Sequence, residues 1–248
     1  MKTYRADLHV HTVLSPCAAI EMIPPLIVQE ALSQGINLIA ITDHNATGNI
    51  SSVIKAAVGT ELVVLPGMEV QTKEEVHSLC LFDSLEQAEA WQQIVDANLP
   101  GIENKPDFFG EQFVVDETGD FIRREERLLL NSINLSFDQA ALKVNQLGGL
   151  FIPAHINRKA FGLIANLGLV PDGVQIKALE ISRHINTLDA YKSYPQIKGY
   201  PLIQNGDVHY INEFLGSTKY NLESPNLSEI TQAILHENGR SLIISESI

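Results

Sequence analysis

Two cysteines in 248 residues are too few for a disulfide framework, so a reducing compartment is the expectation. Cationic side chains are also sparse: 17 Lys and Arg stand against 30 Asp and Glu, a formal net charge of −13 at pH 7. A surface so poor in Lys and Arg has little with which to displace counterions from a nucleic-acid backbone, and stable nucleic-acid binding is not expected. A small anionic substrate is compatible with this charge, because bound divalent cations reverse a local field. No apolar run approaches the roughly 20 residues that span a bilayer. The opening Met1-Lys2-Thr3-Tyr4-Arg5-Ala6-Asp7 lacks a signal-peptide pattern. The expectation is therefore a cytoplasmic protein without membrane contact. P-loop, G-x-G-x-x-G and G-x-S-x-G patterns are missing too, which removes nucleoside-triphosphatase, dinucleotide and serine-hydrolase chemistry.

Hydrophobic residues make up 45% of the chain and charged residues 19%, enough apolar material for a sizeable core. Short β-type runs recur at residues 3–9, 36–42, 62–66, 76–82, 150–154, 178–182, 201–205 and 241–244. Several are almost continuously apolar, as strands covered on both faces are. Helical stretches lie between most of them. Residues 24–34 open on two prolines and stop at Gly35, and Ser136-Phe137-Asp138-Gln139 is a capping-box pattern. Such alternation predicts a mainly parallel sheet in one α/β domain. Residues 98–130 break the rhythm. They are polar, carry Pro100, Gly101, Pro106 and Gly110, and hold a hairpin pattern at 113–122, so an inserted arm or flap is predicted there.

The strongest local signal for chemistry is Asp7-Leu8-His9-Val10-His11. Period-two alternation on a strand puts His9 and His11 on one face and Leu8 and Val10 on the other. Two neutral imidazoles so spaced reach a single divalent ion, although the pair alone equally describes two polar residues at a strand end. Metal-competent residues then return at one structural location. Asp43 and His44 follow the run 36–42, Glu69 follows 62–66, His155 follows 150–154, and Asp207 and His209 follow 201–205. Barrels and doubly wound sheets carry their active sites at the carboxyl ends of strands. One polar residue there is a cap or a turn; five strands ending this way point to a metal centre. His77 is the exception, near the start of an apolar run.

These motifs resemble the PHP (polymerase and histidinol phosphatase) domain. The matching segments are His9-Val10-His11, Thr42-Asp43-His44-Asn45, Pro66-Gly67-Met68-Glu69, Pro153-Ala154-His155 and Gly206-Asp207-Val208-His209. The resemblance implies a distorted (β/α)7 TIM-like barrel, with two or three divalent ions (Zn, Fe or Mn) at its C-terminal mouth. It also implies hydrolysis of a phosphate ester through a metal-activated hydroxide. Carried over residue by residue, one ion falls to His9, His11, Glu69 and Asp207. A second shares Glu69 and adds His77 and His155, and a third takes His44 and His209. Asp43 becomes a group that orients an imidazole from behind. Six residues after His11 the family carries an Asp or His ligand, where this chain has Cys17; a thiolate suits Zn or Fe better than Mn, and a plain buried thiol is the other reading.

Arginine presents paired donors to phosphate oxygens, and Arg158 and Arg183 are the substrate-binding candidates, each equally readable as a solvated side chain. The leaving group needs an acid, for which His209, His184 or a metal-bound water qualify. The leading expectation is a hydrolase of a small phosphorylated metabolite or nucleotide. The alternatives are a nuclease-like phosphodiesterase on short oligonucleotides and a non-catalytic metal-stabilised binding module.

Overall fold

Residues Lys2–Val10 form the first strand (β1), followed by α1 (Pro24–Ser33), β2 (Leu38–Ile41), α2 (Ile50–Ala56), β3 (Val63–Gln71), β4 (His77–Leu81) and α3 (Leu85–Asp96) in this computed structural model, which describes residues 1–245. The middle of the chain adds α4 (Pro106–Phe109), β5 (Phe113–Val115), β6 (Phe121–Arg124), α5 (Phe137–Gln146), β7 (Leu150–Pro153) and α6 (Leu163–Leu167). The last part holds β8 (Leu179–Ile181), α7 (Thr187–Ser193), β9 (Leu202–Gln204), β10 (Thr218–Leu222), α8 (Leu227–Leu235) and β11 (Ser241–Ile244). No helix among these is long and apolar enough to cross a membrane.

Seven strands pair in the order β11-β10-β1-β2-β3-β4-β7, while β8 and β9 form a separate parallel pair. Within the larger sheet only β1–β2 and β2–β3 pair in parallel; β3–β4, β4–β7, β1–β10 and β10–β11 are antiparallel. The mainly parallel sheet expected from the alternation therefore does not form, because β4 folds straight back on β3 and β10 and β11 run antiparallel along the other edge. Short contacts connect the β8–β9 pair to the larger sheet. Ile156 N, just past β7, donates to Glu180 O (2.9 Å), and Val208, just past β9, bridges Val10 in parallel. The result is a mixed α/β fold with a curled, half-barrel sheet. This agrees with the distorted (β/α)7 TIM-like barrel expected from the sequence at the level of a curled α/β sheet. A closed ring of seven strands is not traced by the hydrogen bonding, because β8 and β9 are only three residues each and form a separate pair.

Two apolar clusters explain the curl. Tyr4, Ala6, Leu8, Leu38, Ala40, Leu79, Ile152, Ile203 and Tyr220 pack inside it. Ile39, Ile41, Val53, Trp91, Phe137 and Phe151 pack outside, against the helices. Strand β2 shows the alternation directly, with Leu38 and Ala40 inward and Ile39 and Ile41 outward. Fully burying each of the Leu and Ile side chains is worth about 1.5–3 kcal/mol. Local signals agree with the frame: Ser136 Oγ accepts from Gln139 N (3.2 Å) while Gln139 Oε1 accepts from Ser136 N (3.0 Å), closing the capping box at the start of α5.

Three departures from the sequence reading shape the site. The β1–β2 register shifts between Asp7 and Val10, so Leu8 belongs to the inner cluster and Val10 to the outer one. Leu8 and Val10 thus do not share a face; the bulge re-aims the chain, as bulges near active sites do. Strand β3 does not end at Pro66 but runs to Gln71, because β4 folds back on it with Gly67 opposite Leu81 and Gln71 opposite His77. Glu69 therefore lies within a strand rather than after one. The same reversal puts His77, at the start of β4, on the side where β1 and β2 end.

Buried amides hold the predicted insertion at 98–130 together and fasten it to the segment after β2: Gln112 acts within it, Asn45 and Asn49 from outside. Gln112 bonds Glu125 O (2.8 Å), Arg127 O (2.7 Å) and Leu129 N (2.9 Å). Asn49 bonds Phe113 O (3.0 Å) and Val115 N (2.9 Å), and Asn45 bonds Leu129 O (2.7 Å) and Asn131 O (2.8 Å). The predicted hairpin is present as β5–β6. Gly110, at φ +102, sits so close to Pro16 that a Cβ would collide with its carbonyl.

Candidate metal centre

Glu69 is the hub. Its Oε1 lies 2.9 Å from His77 Nδ1, 3.1 Å from His155 Nε2 and 3.3 Å from His9 Nε2. Its Oε2 lies 3.1 Å from His44 Nδ1 and 3.4 Å from His11 Nε2. Asp207 Oδ1 faces the same two imidazoles of β1, at 3.2 Å from His9 Nε2 and 3.4 Å from His11 Nε2. Each element delivers its ligand candidate at one end of the curled sheet: β1 the first two histidines, the turn after β2 His44, the β3–β4 hairpin Glu69 and His77, the turn after β7 His155, and the loop after β9 Asp207 and His209. His155 (φ +29) and Asp207 (φ +52) both hold left-handed backbone, the kind of strain that concentrates at functional sites.

Buried donors of this kind demand a partner. His9 Nε2, His11 Nε2, Glu69 Oε2, Asp207 Oδ1 and His155 Nδ1 are all buried without a hydrogen bond. Lone pairs of imidazole and carboxylate that face one another are reconciled only by a positive charge between them. Three sets have donor atoms within 4.8 Å of one another: His9, His11, Glu69 and Asp207; His44, Glu69 and His77; and His11, His44 and His209. The donor chemistry fits divalent metals.

Electrostatics point the same way. Burial alone would raise the Glu69 carboxyl, yet His77, His9 and His44 hold it well below the usual range. Burial likewise opposes ionisation of Asp207, but His9 and His11 keep it well below its ordinary value. Burial pushes His44 well down, and His209 is lowered to about 4 by burial and by His11. Ionised carboxylates and neutral imidazoles are the forms a metal requires. His9 and His11 differ: against the effect of burial, Glu180, Asp207 and Glu69 hold His9 well above the ordinary range, and Asp207 and Glu69 raise His11. These two rings hold a proton that a bound cation would displace.

Behind the donors stand groups that fix their orientation. Glu180, fully inside the curl, accepts from His9 Nδ1 (3.1 Å), His155 N (2.8 Å) and Asn205 Nδ2 (2.8 Å). Asp43 does not touch an imidazole directly. It accepts from Ser15 Oγ (2.6 Å), Thr12 N (2.7 Å) and Thr12 Oγ1 (2.7 Å), and Ser15 Oγ in turn meets His11 Nδ1 (2.9 Å). Gln71 Oε1 meets His77 Nε2 (3.2 Å). Asp7 clips the loop that carries Asp207, accepting from Gly206 N (2.9 Å) and Leu215 N (2.9 Å). Carboxylate-supported imidazoles of this type are common in metal sites.

A cavity of about 260 Å³ opens over the cluster, lined by Cys17, His44, Glu69, Gln71, His77, Leu130, His155, Arg158, Phe161, Asp207 and His209. Arg158 is brought in, with Nη1 2.6 Å from Asp207 Oδ2. Cys17 sits exposed at the rim and joins none of the three donor sets. Arg183 and His184 are not brought in. They line a separate cavity with Ile185, Asn186, Thr187, Gln204 and Ile244. Alternation along β8 is the reason: Glu180 faces the cluster and Ser182 reaches Asn157, so Arg183 emerges on the other side. Sequence reasoning overlooked Glu180, Ser15, Gln71 and Phe161. Only Glu180 left a signal, a lone carboxylate in the middle of an apolar strand.

The PHP domain model matches residues 7–141, more than half of the chain. The chain belongs to the PHP domain family. No curated protein matches it. Among solved structures, this PHP chain is similar to a lesion-specific endonuclease, EndoQ from Pyrococcus furiosus, at 22% identity and a TM-score of 0.75. The match covers 97% of this chain and 58% of EndoQ, so the chain spans little more than half of that protein. A complex of Endonuclease Q with a 27-mer duplex substrate carrying an abasic lesion at the active site is similar at 21% identity and a TM-score of 0.73, covering 97% of this chain and 58% of that one. An amidohydrolase from Chromobacterium violaceum, with bound sulfate and no metal, matches at 17% identity and a TM-score of 0.59, covering 97% of this chain and 98% of its own. At these identities the likeness speaks to fold.

Proposed function

We propose that this PHP domain is a metal-dependent phosphoesterase acting on a small phosphorylated molecule. The single observation that carries the reading is the convergence of buried, unpartnered donors on Glu69 and Asp207 beneath a cavity that also holds Arg158. His9, His11, Glu69 and Asp207 would hold one ion. Glu69 and His77 would hold a second, with His155 Nε2, 3.1 Å from Glu69 Oε1, completing it beside His44. His44 and His209 would hold a third together with His11, with Cys17 at its rim. Divalent ions bound there supply Lewis acidity, lowering the pKa of a water and neutralising charge on phosphoryl oxygens. Glu69 couples the positions, because both its oxygens face imidazoles. His209 Nδ1–H donates to Asp207 O (3.0 Å), which leaves Nε2 as the ring's lone pair. Arg158, held by Asp207 and 37% exposed at its side chain, offers its remaining guanidinium donors to a phosphoryl group. Residues 1–248 are one domain in this reading, the last three lying outside the described residues, with 98–130 as an arm that shapes the mouth.

The test is metal content by plasma emission on protein purified without added metal, alongside phosphate release before and after chelation. About two or three equivalents of Zn, Fe or Mn with turnover that chelation abolishes and metal restores is the expected result. No metal after reconstitution would overturn the site assignment. Bound metal without turnover would favour a metal-stabilised binding module. The likeness to EndoQ favours one second reading, a phosphodiesterase on nucleic acid, against which the charge of −13 argues. Relative rates on mono- and diester substrates separate the two.

A further inference from the structure

Residues 158–162 form a tight turn at the edge of the metal centre. Arg158 N donates to His155 O (2.9 Å), and Gly162 lies so close to the Arg158 carbonyl that a Cβ would collide with it. Phe161 O accepts from His77 N (3.0 Å), which ties the turn to the start of β4. Phe161 itself holds φ +59, left-handed backbone that a bulky aromatic residue rarely adopts. Strain of this sort persists only where the surroundings enforce it, and it clusters at ligand clamps.

The strained backbone leaves the ring stacked parallel on His77, with centroids 4.4 Å apart and planes 5° apart. The residue nevertheless stays 39% exposed, and it lines the metal cavity together with Arg158 and Leu130. A packing role would have buried it. One short turn thus presents a guanidinium and an aromatic face to the same space. That space, about 260 Å³, falls just below the usual ligand-pocket range of roughly 300–1,000 Å³, and suits a phosphate and a single ring system better than a long chain.

We propose that Phe161 is the specificity-determining residue for the alcohol half of the substrate, stacking a planar ring carried next to the phosphate while Arg158 takes phosphoryl oxygens. The substrate class is a phosphate ester of a ring-bearing alcohol, and the proposal rests on the phosphoesterase reading above. Stacking on one open face is tolerant of ring identity, so the preference is for a planar ring rather than for one base.

Benzylphosphonate and ethylphosphonate, which cannot be hydrolysed, test this by calorimetric titration into the metal-loaded protein. The wild type binds the benzyl compound roughly three- to tenfold more tightly. Phe161→Ala loses that preference and keeps both its metal content and its affinity for ethylphosphonate. Ala meets the same backbone penalty as Phe at φ +59, and Phe161→Leu, which retains apolar bulk, guards against a folding defect. Leu should recover part of the benzyl affinity. Equal binding of the two phosphonates by the wild type overturns the proposal and leaves the phosphoesterase reading intact. Loss of metal in Phe161→Ala also overturns it, since the ring then serves as a shield for His77. Binding of neither phosphonate by metal-loaded wild type overturns both readings together.

Discussion

Replacing Glu180 by Gln tests the support behind the metal centre with little change of shape. Three donors converge on its two oxygens: His9 Nδ1, His155 N and Asn205 Nδ2. A glutamine turns one of those oxygens into a donor, which must then confront either the His155 N–H or the Asn205 amide. Asn205 cannot simply turn round, because its Oδ1 accepts from Leu8 N at 2.8 Å. One buried donor therefore loses its partner, at about 1–3 kcal/mol. For a chain of this size that lowers the melting temperature of metal-free protein by roughly 2–12 °C, at about 2–4 °C per kcal/mol. The second effect is on the metal. Without the carboxylate, the His9 ring is less firmly oriented and less basic, and affinity falls about 10–100-fold. Competition against a fluorescent zinc chelator reads the affinity, and calorimetry on chelated protein reads the stability. Affinity within about threefold of wild type would refute the role given to Glu180, whatever the melting temperature did.

Other outcomes follow from the same geometry. Chelation removes the charge that reconciles the facing donors, and each site held at about 100 times its Kd contributes about 2.7 kcal/mol, so thermal unfolding should shift down by roughly 5–11 °C per site lost. A melting curve indifferent to chelator would contradict this. Ser15→Ala cuts the link from Asp43 to His11 and removes a 2.6 Å bond from a buried carboxylate, so it should lower both metal affinity and urea midpoint, the latter by about 1–3 kcal/mol of stability. Gly110→Ala forces a Cβ into the Pro16 carbonyl at φ +102; a stability loss of about 1–3 kcal/mol in urea unfolding is expected, with altered thiol-labelling rates at neighbouring Cys17. An unchanged midpoint would show that the arm is not seated against residues 12–17.

The ligand candidates were legible because they are polar residues set against apolar runs. His9, His11, His44, Glu69, His155, Asp207 and His209 all stand at such boundaries; six of them share the donor sets, and His155 joins through its 3.1 Å contact with Glu69. Pairing between strands was not legible. The reversal at β4 depends on where the chain folds back, and only that reversal explains why His77 serves the same end of the sheet as residues that follow their strands. Strand β10 was overlooked although Thr218, Tyr220 and Leu222 are buried and Lys219 is exposed, a period-two signal in a five-residue run. Arg183 looked like Arg158 in sequence, a cation after a strand. Its side is decided by alternation from Glu180, whose inward direction shows only once His9 is placed beside it.

Strand β1 supplies the first donors and the loop after β9 the last, so the metal centre joins residues 9 and 209 of one chain. During synthesis His9 and His11 emerge early, while Asp207 and His209 follow only after most of the polypeptide. Until then the early histidines lack the carboxylate that faces them, and a stretch ending before residue 207 has an incomplete donor set. Capture of the ion assigned to His9, His11, Glu69 and Asp207 would therefore be a late event, coupled to closure of a loop about 200 residues long, whose entropic cost grows only slowly with length. The His44, Glu69 and His77 set, by contrast, is complete by residue 77. An ion bound there would act as a clasp between the two ends of the fold.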